Sequence, residues 1–301
     1  MYIGVDIGGT DVKVGVMNEA YELERELTVP TEAHLGIERV LSNIVSGIAA
    51  VSEGCLCKAI GIGTPGDIDF QNGIVRSSAN LPYNNTPIVD FLHKKFGLPV
   101  RIGNDASCAV MAEAYAGHGR KYKNFIMLTL GTGVGGGIVI GGEPYLGAHG
   151  AAGEFGHVSV KFDGELCRCG LPGCFEDFSS VSALIKMTKE AVLTSGDSIL
   201  ATAAYTVGLN GKTAFVAKKS GSRAAEAVID KYLDYLALGI KNYSRIFDPE
   251  AIILAGAITK EGDALLSPLR EKANVSAPII VSALGKSAGV IGAAALAMRE
   301  I

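Results

Sequence analysis

The sequence predicts an α/β fold of two similar lobes with a cleft between them. Three observations carry the prediction: a strand, glycine turn, strand unit over residues 3–16, a second unit of the same kind over 125–140, and helix-period and strand-period segments following in turn. A chain of 301 residues is comfortable for two domains, on a prior of about 100–200 residues each. No Pro-rich or Ser-rich linker separates the halves, so the lobes are joined by short crossings, and the cleft is the natural ligand site.

Taken in order, Ile3, Val5 and Ile7 alternate up to Gly8-Gly9-Thr10-Asp11, and Val12, Val14 and Val16 alternate after it, which is a hairpin signal. A helix over 36–52 follows, then a strand over 59–62 closed by Thr64-Pro65-Gly66. A helix over 87–96 and a strand at Val100 and Ile102 lead to Asn104, a plausible cap for a helix over 106–115. The second unit runs from a strand at 125–130 through a glycine turn at 131–137 into a strand at 138–140. Ile229, Leu233, Leu236, Ile240, Tyr243 and Phe247 fall on one helical face, and Asp248-Pro249 ends that helix. A strand over 252–254 then leads to Gly256, and the small apolar run 288–298 reads as a buried helix.

Composition excludes several function classes. With 27 basic against 31 acidic residues the net charge is −4, and no basic stripe is present, so binding driven by counterion release from nucleic acid is not expected. A hydrophobic content of 48% with 19% charged residues rules out a disordered chain. The longest uncharged stretch, 125–142, contains seven glycines and is read as strand, turn, strand rather than a membrane span. The N-terminus has no signal-peptide pattern, so a cytoplasmic location is expected.

The two glycine turns are candidate phosphate sites. Asp6-Ile7-Gly8-Gly9-Thr10 puts a carboxylate at a strand end, then two residues free to take positive φ, then a hydroxyl. Consecutive backbone N–H groups in such a turn form an anion-binding concavity, although an ordinary hairpin turn is the commoner use. Neither turn is a P-loop or a dinucleotide fingerprint, because each is followed by a strand and not a helix. Asp105, in the first turn of its helix, is either a dipole-favoured capping acid or a base that takes a proton from a substrate hydroxyl attacking a γ-phosphate. A dipole-lowered pKa is expected there, which suffices because phosphoryl transfer takes the proton late.

Three of the six cysteines, Cys55, Cys57 and Cys108, are scattered and read as core thiols. Cys167, Cys169 and Cys174 lie within eight residues, interleaved with glycines, a spacing that points to metal; a redox cysteine pair is the other reading. His157 is the nearest upstream candidate for a fourth ligand, with His149 as its competitor. A Cys₃His set fits a closed tetrahedral zinc site, structural because no position is left for water. Glu154 and Glu176 flank it, as hydroxyl-binding groups or as solvated surface acids.

Together these residues resemble the ROK family, which groups bacterial sugar kinases with related repressors. The resemblance runs over nearly the whole chain, through Asp6-Ile7-Gly8-Gly9-Thr10, Gly63-Thr64-Pro65-Gly66, Asn80-Leu81-Pro82, Asn104-Asp105-Ala106, the 131–137 turn, Gly153-Glu154-Phe155-Gly156-His157, the Cys167–Glu176 segment and Gly289-Val290-Ile291-Gly292-Ala293-Ala294. It implies an actin-like ATPase (ribonuclease H-like) fold, with lobes at 1–117 and 118–286 and the C-terminal segment 287–301 packing back on the first. It further implies ATP and Mg²⁺ as cofactors and transfer of the γ-phosphate to a sugar hydroxyl, usually on C6, with Asp105 as base. Sugar hydroxyls would be held by Gly66, Asn80, Asn104, Asp105, Glu154, His157 and Glu176. Phosphates would meet Gly8, Gly9, Thr10, Lys13, Gly131, Thr132 and Gly133; Asp6 would face the Mg²⁺ shell, and Gly256 the nucleoside. Structural Zn²⁺ on His157, Cys167, Cys169 and Cys174 would fix the His157 tautomer, leaving its other nitrogen for the sugar. The expected partners are a small-molecule sugar and a second copy in a homodimer, with no nucleic acid and no membrane. The alternative is a sugar-binding regulator or sensor of the same family without kinase activity; repressors of the family carry an N-terminal helix-turn-helix, whereas here the first strand begins at Ile3, so the kinase is the expected reading. The chain departs from the family pattern at Gly103, at Tyr83-Asn84-Asn85 in the sugar-lining region, at Asp177, at Ala257 and at Ser287.

Overall fold

The computed structural model describes residues 1–148 and 150–299. Its strands and helices in chain order are β1 Tyr2–Ile7, β2 Asp11–Met17, β3 Leu23–Pro30, α1 Ile37–Val51, β4 Ala59–Thr64, β5 Asp67–Asp69, β6 Ile74–Ser77, α2 Ile88–Phe96, β7 Val100–Asn104 and α3 Asp105–Tyr115. They continue with β8 Phe125–Leu130, β9 Val134–Ile140, β10 Glu143–Tyr145, α4 Glu176–Ser179, α5 Val181–Thr194, α6 Ser198–Val207, α7 Thr213–Lys219, α8 Arg223–Phe247, β11 Ala251–Ala255, α9 Asp263–Ala273, β12 Ile279–Val281 and α10 Ala288–Met298. The chain falls into two compact units: Met1–Lys123 with Val139–Gly150 and Ala283–Ile301, and Asn124–Ile138 with Ala151–Ser282.

The first unit is built on a five-stranded sheet of order β3-β2-β1-β4-β7. The apolar residues of β1 and β2 pack with Val40, Ile44 and Ile48 of α1 and with Ile88 and Leu92 of α2 in one core. Smaller clusters join α3 and α10: Cys108 and Met111 meet Ala293 and Leu296, and Ala112 meets Ile291 and Ala294. Helix α10 is buried on all sides, which is why its composition is small and apolar throughout and shows no polar face. Parallel pairing of β1, β4 and β7 sets Asp6 beside Gly63 and Gly63 beside Gly103, and places Asn104 opposite Thr64. Three strand ends and their turns are thereby gathered on one sheet edge.

The second five-stranded sheet repeats the order, with β10-β9-β8-β11-β12, and of it β8, β11, β12 and β9 as far as Ile138 belong to the second unit. Its core is formed around α8, whose buried positions include the predicted Ile229, Leu233, Leu236, Ile240 and Tyr243. That helix begins earlier than its apolar stripe, at Arg223, because Ser222 caps it by accepting the Ala225 amide.

The units differ from the lobes drawn on the sequence. Residues 118–123, 139–150 and 283–286 group with the first unit. Side chains of α3 hold two of these segments: the Tyr115 hydroxyl donates to Glu143 at 2.7 Å, and the Ala283 amide donates to the buried Glu113 carboxylate at 2.9 Å. Strand β9 runs through the boundary without a break, so composition does not mark it. No described helix is long and apolar enough to cross a membrane.

Candidate functional site

In the first unit the site residues cluster at the C-terminal ends of β1, β4 and β7. Asp6 pairs across the hairpin with Lys13. Burial pushes its carboxyl up to about 6, with Lys13 opposing and the charges of Asp105 and Glu26 assisting. The folded chain therefore holds this proton more tightly than the unfolded chain. Stability is predicted to fall as pH rises from about 4 to about 6, by up to about 3 kcal/mol, and then to level off. In denaturant titrations without nucleotide, Asp6→Asn should remove that slope and be more stable than the wild type above pH 6.

The first glycine turn does not use the left-handed backbone that Gly8 and Gly9 are free to take. The Gly8 amide donates to the Asp11 carbonyl at 2.9 Å, while Gly9 and Thr10 are exposed. Lys13 Nζ donates to the Lys286 carbonyl at 2.5 Å, so its ammonium is held at the 285–287 turn. Asn80 is exposed beside Gly9, and Gly66 takes a φ of 133°. Asn104 caps α3 as expected, its Oδ1 accepting the Ala106 amide at 2.9 Å. Asp105 Oδ1 accepts the same amide at 2.9 Å, which fixes the aim of the carboxyl.

The expected sign of the Asp105 shift is wrong. Its pKa is raised, because desolvation outweighs the amides at the helix start. Tyr83, in the segment that departs from the family pattern, is buried in the core, and its hydroxyl lies 3.0 Å from Thr64 Oγ1, within the 63–66 turn. A cavity of about 910 Å³ opens along the free edge of β7, lined by Arg76, His93, Arg101, Ser107 and Leu146 among others. Of the predicted site residues, Asn104 alone lines it.

In the second unit the glycine run divides in two. Only residues 131–133 form the turn, closed by the Gly131 amide on the Gly133 carbonyl at 3.0 Å; residues 135–137 belong to β9. A Cβ at Gly136 would stand 2.7 Å from the Phe155 ring, so that glycine serves the close approach of the Glu154–His157 segment and not a phosphate. Gly131 and Thr132 are exposed. Gly256 follows β11, the neighbour of β8, and its φ of 113° sets it against the Leu130 backbone next to the turn.

Glu154 is exposed and His157 half-buried, with Phe155 between them as the anchor. The Phe155 ring packs on Tyr243 at 4.5 Å between centroids, and the Tyr243 hydroxyl donates to the Phe155 carbonyl at 2.6 Å. Phe175, between Cys174 and Glu176, meets the same tyrosine edge-on at 5.6 Å. One residue of α8 thus holds both segments that carry the glutamates. Truncating Phe175→Ala is expected to cost about 3–5 kcal/mol in denaturant unfolding.

His157, Cys167, Cys169 and Cys174 place one ligand atom each within 4.8 Å of one another. His157 Nδ1 lies 3.6 Å from Cys167 Sγ, and Cys169 Sγ 3.4 Å from Cys174 Sγ. A tetrahedral zinc with its usual bond lengths needs donors about 3.5–3.8 Å apart; the two short pairs stand near that spacing, and a Cys₃His donor set is of the kind that ion takes. Nδ1 is the nitrogen turned toward the thiols, which leaves Nε2 free. The competing His149 lies outside the described residues. Glu176 opens α4, and its Oε2 accepts the Val134 amide at 2.8 Å, so one carboxylate oxygen is committed to the glycine turn. Beside it, burial and the Glu176 charge push up the Asp177 carboxyl.

The pattern that defines the ROK family matches residues 2–300. The chain belongs to the ROK family. It is 37% identical to a glucokinase of Thermotoga maritima, over 99% of this chain and 98% of that protein. It is 30% identical to an N-acetyl-D-glucosamine kinase of Escherichia fergusonii, over 86% of this chain and 84% of that one. Among solved structures, a ROK glucokinase from Streptomyces griseus in complex with glucose and AMPPNP superposes with a TM-score of 0.83 at 32% identity, covering 99% of each chain. The ROK chain therefore has the actin-like ATPase fold that the sequence implies, and it is a sugar kinase.

The anchoring role of Tyr243 escaped the sequence reading, which saw only an apolar helix position. A signal was present: each of the segments Glu154–His157 and Cys174–Glu176 has a phenylalanine at its centre, and both need an apolar partner.

Proposed function

We propose that this ROK chain transfers the γ-phosphate of ATP to the C6 hydroxyl of a hexose, glucose being the first substrate to test. The observation that carries the reading is Asp105: a carboxyl at the first turn of α3, aimed by the Ala106 amide and raised above its ordinary value by desolvation. A raised carboxyl accepts a proton from an alcohol better than an ordinary one, and only late in a loose transfer.

From the first unit, Gly66, Asn80 and Asn104 would hold sugar hydroxyls beside Asp105, and Gly8, Gly9, Thr10 and Lys13 would meet phosphate. From the second, Glu154, His157 Nε2 and Glu176 would hold sugar hydroxyls, Gly131, Thr132 and Gly133 would meet phosphate, and Gly256 would approach the nucleoside. Mg²⁺, faced by Asp6, would supply charge neutralisation on the phosphate oxygens. Zn²⁺ on His157, Cys167, Cys169 and Cys174 would supply rigidity, fixing the His157 tautomer and the approach of Glu176. The relatives named as glucokinases support glucose, and the N-acetyl-D-glucosamine kinase supports a 2-acetamido sugar as the competing substrate. A cytoplasmic location and a homodimer complete the proposal.

Phosphorus NMR of the product formed from glucose and ATP tests the position of transfer. A 6-phosphate signal is expected; a 1-phosphate would overturn the assignment of the C6 hydroxyl to Asp105.

A further inference from the structure

We propose that Glu176 is a positioning residue for the phosphate turn, and that through it sugar binding and nucleotide binding are coupled within the second unit. The inference rests on the kinase reading above and adds to Glu176 a role toward the nucleotide. The geometry begins at the turn. Residues 131–133 are closed by one internal hydrogen bond, and two of the three are exposed glycine and threonine, so the turn has little packing of its own. Two outside contacts pin it. The Val134 amide donates to Glu176 Oε2 at 2.8 Å, and the Val181 amide donates to the Gly131 carbonyl at 2.8 Å. The pins come from the two ends of one short segment, α4 with the first residue of α5.

Gly133 bears on the same contact. A Cβ there would stand 2.2 Å from Glu176 Oε2 and 3.0 Å from its carboxyl carbon, so only glycine lets the carboxylate lie against the turn. The glycine that a phosphate-binding reading assigns to close approach of the nucleotide is needed first for close approach of Glu176. The glutamate itself is held from behind: Phe175 is fully buried against Tyr243, and Cys174 belongs to the zinc-fitting cluster. Three consecutive residues are therefore a metal donor, a core anchor and a turn pin.

A carboxylate accepts on both oxygens. With Oε2 on Val134, Oε1 is left for a hydroxyl of the sugar. A sugar bound there orders the carboxylate, the carboxylate orders the turn, and a nucleotide then binds a turn whose ordering cost is already met. Reciprocity requires the nucleotide to tighten the sugar by the same factor, expected to be roughly five- to tenfold.

Calorimetric titration of AMPPNP into the holoenzyme, with and without saturating glucose, tests this. In the wild type, glucose should tighten AMPPNP roughly five- to tenfold. Glu176→Ala should remove that coupling and weaken AMPPNP in the absence of sugar. Glu176→Gln keeps an acceptor for the Val134 amide, so it should restore AMPPNP affinity to within about twofold while the KM for sugar stays raised. Gly133→Ala displaces the carboxylate, and adding Glu176→Ala to it should bring no further loss of AMPPNP affinity, because both act on one contact. Glu176→Ala with coupling and AMPPNP affinity intact, or penalties that simply add in the double variant, would overturn the proposal while leaving the kinase reading in place. Failure of the wild type to bind AMPPNP, or to bind any hexose or N-acetylhexosamine, would overturn both.

Discussion

Asp105→Asn is expected to lower turnover by about 10²- to 10⁴-fold while the affinity for sugar stays within about threefold. Asparagine keeps the side-chain oxygen that accepts the Ala106 amide, so the start of α3 and the geometry of Asn104 should be unchanged. What would be lost is the group proposed to take the proton of the attacking hydroxyl. Because burial raises the Asp105 carboxyl, the acidic limb of the pH profile for kcat/KM should lie above the ordinary carboxylate range. Asp6 is pushed up to about 6 as well, so Asp6→Asn should also change that limb. A large loss of sugar affinity with turnover preserved would remove Asp105 from the role of base.

Extracting the metal with a chelator, or changing Cys169→Ser, is expected to lower sugar affinity at least tenfold and the melting temperature by several degrees together. Cys169 is the exposed member of the set, so the serine substitution leaves the buried packing of Cys167 and Cys174 in place and tests ligation more than core volume. Both effects share a cause. Without the ion, His157 would lose its fixed tautomer, and the segment ending at Glu176 would be held by Phe175, by the Glu176–Val134 hydrogen bond and by its own backbone hydrogen bonds. Metal analysis should find about one zinc per chain; well under one, with sugar affinity intact, would contradict the assignment.

How much of this was legible in the sequence depends on the range of the interaction. Helix α10 was read at its observed bounds because complete burial leaves a purely local trace, eleven small apolar residues bounded by polar ones. The donor set was legible because three of its members share one short loop and the fourth lies just upstream. The Asn104 cap was legible for the same reason. The Glu176 to Val134 hydrogen bond spans 42 residues and involves a backbone amide, which no residue type announces. The contact of the Tyr83 hydroxyl with Thr64, nineteen residues away at a strand end, is likewise not announced by the residues around it. The Asp105 shift was misjudged because the helix start is local and visible in sequence, while the protein mass that desolvates the carboxyl is not. The 131–137 run was read as one turn because sequence does not separate glycines that bend a chain from glycines that let another segment approach it.

The central claim is tested most directly by the rate of ADP release from ATP and Mg²⁺ across a panel of hexoses and N-acetylhexosamines. The account predicts release that depends on sugar, is fastest with glucose or a close relative of it, and is abolished in Asp105→Asn. Release that is the same with and without every sugar, and unchanged by that substitution, would contradict it.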